Sequence, residues 1–131
     1  MRYFSVREAE ALIPEIERVF DIVAEIAAKG REKAEKVERL EAQRALGPEL
    51  EIEKSQLQFL SGGIDDWLQK ILDMGAIPKG LEPPLVDFPH RLAGREVYLC
   101  WRLGEKTITH YHDLEGGFEG RRELPPARPG P

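Results

Sequence analysis

Asparagine is absent from the 131 residues, cysteine occurs once, and no stretch of about 18 to 20 residues is apolar enough to cross a bilayer. A single cysteine, Cys100, cannot staple the chain to itself, which suits a reducing compartment. The first residues, Met1-Arg2-Tyr3-Phe4-Ser5, pass straight into a charged amphipathic pattern with no signal-peptide core, so a cytoplasmic location is expected. No block of five like charges occurs, and the net charge is −5. General attraction to nucleic acid or anionic lipid is therefore disfavoured. Neither a phosphate-loop Lys-Ser/Thr signature nor a dinucleotide fingerprint after a strand is found, and there is no internal repeat. The lack of Asn, with abundant Glu, Lys and Arg and ten Pro, matches a heat-adapted composition.

With 41% hydrophobic and 33% charged residues, the chain can build one core but not two independent domains. Up to Gly75 it carries 16 acids against 11 bases; beyond Gly75 the charges balance. The second part also holds all three His, both the chemistry-bearing Cys100 and Trp101, and eight of the ten Pro. The expected organisation is a single α+β domain over residues 1–124, with a helical hairpin at about 6–75 and a sheet at about 76–124. The Pro-rich end, 125–131, is expected as an extended or disordered tail.

Ser5-Val6-Arg7-Glu8 has the form of a capping box and predicts a helix start near Val6. Ala9, Leu12, Ile13, Ile16, Val19, Phe20, Val23, Ile26 and Ala27 then form one apolar stripe at steps of three and four. Pro14 falls inside it, so a kink or a separate first helix is expected there. Beyond Gly30 the stripe thins to Ala34, Val37 and Leu40, and Gly47-Pro48 ends the segment. In the return helix Leu50, Leu57, Leu60, Ile64, Trp67, Ile71 and Met74 make a coiled-coil-like seam, interrupted by polar Glu53. Gly62-Gly63 permits a close backbone approach or splits this helix, and Gly75 stands where a left-handed terminating residue belongs. A hairpin that extends beyond its core exposes its stripe, and a homodimer through these helices would bury it.

The remainder reads as a three-stranded antiparallel sheet. A short edge strand, Leu85-Val86-Asp87-Phe88, is bounded by prolines; Glu96–Leu103 and Lys106–His112 flank a two-residue turn at Gly104-Glu105. This turn pairs residues whose numbers sum to 209. It places Val97, Leu99, Trp101, Ile108, His110 and His112 on one face, with Cys100 on the other. The fold class is thus α+β, a long antiparallel helical hairpin packed on a small three-stranded sheet.

His110 and His112 are two apart on a strand, with side-chain origins about 6.5 to 7 Å apart, a separation from which two imidazoles can converge on a metal. A third ligand would come from Asp87, Asp113, Glu105 or a helix Glu. The competing account gives both histidines local hydrogen bonds at the core edge. Cys100 reads as a buried structural thiol. Arg91, Arg95, Arg102, Arg121 and Arg122, with Gly116-Gly117-Phe118-Glu119-Gly120, offer forked donors and backbone N–H groups to a small anion, or pair with acids of the same half.

Leu85-Val86-Asp87-Phe88-Pro89, then Gly94 to Glu105, then Tyr111-His112-Asp113 with Gly117-Phe118 and Gly120-Arg121, resemble a bacterial family of small proteins grouped as domain of unknown function 2203. The likeness covers nearly the whole chain. It implies a bacterial cytoplasmic protein and carries no reaction or cofactor. Its motif falls here on Asp87, Arg95, Glu96, Cys100, Trp101, Arg102, Gly104, Glu105, His112, Asp113 and Arg121. Pro84 replaces the expected Gly and Tyr111 the expected Trp, while His110 lies outside the pattern.

Three functions follow as expectations. The first is a non-catalytic dimeric binding or scaffold module. The second is a metal-binding protein or metal-dependent hydrolase, its divalent transition metal held by His112 and His110 with Asp113 or Asp87. The third is a small-anion site formed by Arg95, Arg102 and Arg121 with Glu105.

Overall fold

A computed structural model describes residues 2–126. The elements run in order as α1 (Val6–Ala42), α2 (Pro48–Asp73), β1 (Ile77–Leu81), β2 (Pro84–Leu92), β3 (Arg95–Arg102), β4 (His110–Asp113) and β5 (Arg122–Glu123), with a 3-10 turn at Phe118–Gly120 before β5. The chain divides into two compact units. Residues up to Glu17 together with those from Ile71 onward form one, and Arg18–Lys70 the other.

The Arg18–Lys70 unit is an antiparallel helical hairpin. The expected break at Pro14, N-terminal to it, does not occur: α1 is one helix through Pro14. One missing backbone donor is outweighed where Ala9, Ile13, Ile16 and Val19 all bury their side chains. Gly62-Gly63 likewise leaves α2 whole, and a Cβ at Gly63 would stand 3.7 Å from Ile26 Cδ1, an ordinary contact, so the expected close backbone approach does not depend on these glycines. Glu53, the polar break in the seam, is buried and accepts hydrogen bonds from Lys33 Nζ at 2.8 Å and Lys36 Nζ at 3.1 Å. Those two lysines lower the Glu53 carboxyl below its ordinary range, Lys33 most. Arg44 and Gly47 carry positive φ in the connection, so the turn is made before Pro48, which opens α2.

In the other unit the capping box forms as predicted. Ser5 Oγ accepts from Glu8 N at 3.1 Å, and Glu8 Oε1 accepts from Ser5 N at 2.9 Å. Gly75 ends α2 at φ +95, packed near Phe4 and Arg2. The sheet has five strands in the order β1-β2-β3-β4-β5, all antiparallel, where three were expected. Two were missed for reasons of composition. Pro78 and Gly80 make β1 read as loop, and its pairing is irregular between them. β5 is only two residues long.

β1 turns the expected short edge strand into a nine-residue inner one. Pro89 is tolerated because β1 covers only Pro84 to Asp87. Beyond that point the strand faces the N-terminal segment, and Phe4 N donates to Pro89 O at 2.7 Å. Phe4 also meets Phe88 edge-on, with ring centroids 5.3 Å apart. Val86, Phe88, Val97, Leu99 and Trp101 are fully buried on one face of the sheet.

The β3–β4 register also differs from the expected one, by a single residue. Tyr98 pairs with His112 and Cys100 with His110. The turn runs from Arg102 to Glu105, where Glu105 N donates to Arg102 O at 3.0 Å, and Gly104 is its third residue at φ +104. The chain then continues irregularly to His110. Trp101 Nε1 donates to Glu105 O, Glu105 Oε1 accepts from Arg102 N, and Ile108 N donates to Glu10 Oε2. These bonds, invisible to a strand pattern, displace the hairpin turn, and a one-residue slip moves every side chain of β4 to the opposite face.

Candidate metal centre

The slip brings His112 to the face of Cys100. Asp87 pairs directly with Cys100 across β2–β3, and His112 pairs with Tyr98 two residues along β3, so all three project from one side of the sheet. One ligand atom from each of Asp87, Cys100 and His112 lies within 4.8 Å of the others, and all three residues are buried. The expectation that Cys100 stands apart from the histidines is thereby reversed for His112.

Hydrogen bonds orient the imidazole. His112 Nδ1 lies 2.7 Å from the Asp113 carbonyl oxygen, which can only accept, so Nδ1 carries the proton. The other nitrogen, Nε2, points at Asp87 Oδ1 at 3.0 Å. One proton lies between those two atoms, on the carboxyl or on the ring. Burial is the main cause that raises the Asp87 carboxyl above its ordinary range, against the opposing hydrogen bond from His112. Burial also pushes the Cys100 thiol up to about 11, helped by the charge of Asp87. A thiol so placed is not a free nucleophile at neutral pH.

Arg121 adjoins the cluster. Its Nη2 donates to both Glu105 carboxylate oxygens at 2.9 Å and to the Cys100 carbonyl at 3.1 Å, while the guanidinium lies 4.8 Å from the centre of the Phe118 ring. Arg121 Nε is buried with no acceptor among the described residues. In front, a cavity of about 340 Å³ is lined by the three cluster residues with Lys79, Leu85, Leu114, Glu115, Gly117 and Phe118.

The remaining predicted site residues are placed elsewhere. His110 shares the face of His112, but its Nδ1 is engaged with Thr109 Oγ1 at 2.8 Å and it stands outside the cluster. The Asp113 carboxylate lies 3.8 Å from Arg95 and 4.0 Å from Arg122, so it is an ion-pair partner, and only its backbone carbonyl meets His112. The arginines do not gather into an anion site: Arg95 faces Asp113, Arg121 faces Glu105, Arg91 stacks on Tyr3, and Arg102 is exposed. Cys100 and Lys79 are the members that pattern reading missed as site residues. A signal for Cys100 existed, since Asp87, Cys100 and His112 all belong to the family motif; only the assumed register kept them apart.

Among the described residues no helix is long and apolar enough to cross a membrane. A family model described as "Uncharacterized conserved protein (DUF2203)" matches residues 2–124. No curated protein and no solved structure matches the chain.

Proposed function

Since the chain belongs to the uncharacterised conserved family DUF2203, whose description names no activity, we propose a function from its site. The protein is a metal-binding module in which Asp87, Cys100 and His112 hold one divalent transition metal ion, zinc by the character of the donors. The observation that carries this reading is the convergence of one oxygen, one sulfur and one nitrogen donor, all buried, within 4.8 Å. Two donors on one tetrahedral zinc stand about 3.3 to 3.6 Å apart, so a pair at the 4.8 Å limit closes by about 1 Å, while His112 Nε2 and Asp87 Oδ1, at 3.0 Å, part by a few tenths. The proton on His112 Nδ1, held by the Asp113 carbonyl, leaves Nε2 as the ligating atom. Arg121 then acts on Cys100, whose thiolate its positive charge and its side-chain hydrogen bond favour.

Without a metal, the same pocket buries, beside the His112 imidazole, a carboxyl and a thiol whose charged forms are disfavoured by burial. A divalent ion replaces the protons that keep them neutral. The test is elemental analysis of protein purified without an affinity tag and dialysed against zinc. One ion per chain is expected, lost in Cys100→Ala and His112→Ala and kept in His110→Ala. Zinc retention by the Cys100 and His112 variants, or no zinc in the parent, refutes the reading.

Self-association through the hairpin belongs to the same proposal. Phe59 on α2 is 82% exposed, a large apolar side chain with nothing over it in one copy of the chain. Light scattering at micromolar concentration checks it, and a monomer removes it.

A further inference from the structure

Three protein donors leave a tetrahedral ion one position short, and that shortage distinguishes exchangeable sites from closed structural ones. Among the described residues no fourth His, Cys, Asp or Glu stands with the three. Behind the cluster are the strands themselves, and in front is the cavity of about 340 Å³, which all three donors line. The missing ligand therefore comes from the cavity side. A single water needs about 30 Å³, so the space admits a small molecule as well as a solvent ligand.

The cavity walls indicate which kind. Leu85, Leu114 and Phe118 contribute apolar surface, with Leu114 50% and Phe118 36% exposed around the opening. Two charged side chains stand at the mouth, Lys79 and Glu115, both exposed. Lys79 is held over the Tyr98 ring, its Nζ 5.7 Å from the centroid, and Tyr98 in turn lies 5.6 Å ring to ring from His112. No carboxylate forms an ion pair with Lys79 among the described residues, whereas Arg95, Arg121 and Arg122 each face one. With zinc balanced by one carboxylate and one thiolate, the centre itself is neutral, so Lys79 is the local charge that selects an anion and Glu115 the one that opposes it.

On the metal reading above, we infer that the cavity binds a small organic oxyanion, one oxygen taking the ion's open position, its charge facing Lys79 and its apolar body lying against Leu85, Leu114 and Phe118. Carboxylates and phosphonates share this chemistry. Cobalt(II), which takes the place of zinc with visible d–d bands, reports on both levels separately. The cobalt-loaded full chain is titrated with benzoate, phenylphosphonate, inorganic phosphate and neutral benzamide.

Benzoate or phenylphosphonate is expected to shift the bands saturably at millimolar concentration, and which of them binds tighter assigns the head group; benzamide leaves the spectrum unmoved. Because both flanking charges are exposed, their effects are modest: Lys79→Met weakens the anion about threefold and Glu115→Gln strengthens it by a similar factor, with cobalt affinity unchanged. Failure of cobalt to bind overturns the metal reading and this one with it. Bound cobalt whose bands ignore every anion overturns only the ligand site. A response to inorganic phosphate alone overturns the organic ligand, and equal affinities in the two charge variants overturn the role of Lys79.

Discussion

Metal affinity should depend steeply on pH, and Cys100 sets the slope. Burial pushes its thiol up to about 11, so at pH 7 nearly every metal-free molecule carries that proton. Zinc binds the thiolate, and displacing a proton from a group about four pH units above the solution costs about 5 kcal/mol at pH 7. Each unit by which the pH rises lowers that cost by about 1.4 kcal/mol, so the apparent affinity should increase about tenfold per unit between pH 7 and 9. Chelator competition across that range measures the slope. Calorimetry in buffers of different ionisation enthalpy counts the protons, with at least one released per ion. In Cys100→Ala the affinity falls and the slope from this proton disappears. A parent protein whose affinity is flat across the range, or a Cys100→Ala variant that keeps the full slope, refutes the assignment of Cys100 as a ligand.

Other perturbations follow from the same contacts. Ser5→Ala removes one half of the capping box and should cost about 1 kcal/mol, a few degrees in thermal unfolding. Phe88→Ala empties a fully buried site against Phe4 and should cost about 3 to 5 kcal/mol in urea unfolding. Lys33 and Lys36 hold the Glu53 carboxyl below its ordinary 4.5, so the stability they confer is complete above that value and lost as pH falls through the lower folded value. Thermal unfolding from pH 6 to 3 should therefore fall more steeply in the parent than in Glu53→Gln. Asp87 has the opposite sign: its carboxyl is raised by burial, so ionising it costs the metal-free protein stability as pH rises from the ordinary 3.8 towards the folded value. Asp87→Asn should remove that loss in metal-free unfolding curves while abolishing zinc binding.

Asp87, Cys100 and His112 all lie in the family motif, yet only the observed register brings them together. His112 and Asp87 are legible as candidate metal ligands, Asp87 as one choice for the third ligand to a His110–His112 pair, while Cys100 reads as a buried structural thiol. A two-residue turn at Gly104-Glu105 puts Cys100 on the face opposite the histidines. The observed turn begins one residue earlier and is followed by an irregular stretch to His110, fixed by Glu105, Trp101 and a helix carboxylate, Glu10. Bonds of this kind join residues up to 98 positions apart, and no local period encodes them. The partners of the arginines are illegible for a related reason: charge balance says that arginines will find acids, but only placement says which.

Local chemistry by itself determined the helices. The capping box, the apolar stripe, the seam and the left-handed Gly75 are properties of residues within a few positions of one another, and the outer ends of α1 and α2 follow from them, whereas the continuity of α1 through Pro14 goes with the burial of the stripe around it. Strand register belongs to the tertiary structure, because side chains alternate with a period of two and a shift of one residue exchanges the faces of a sheet. That single shift put a thiol, a carboxyl and an imidazole around one point.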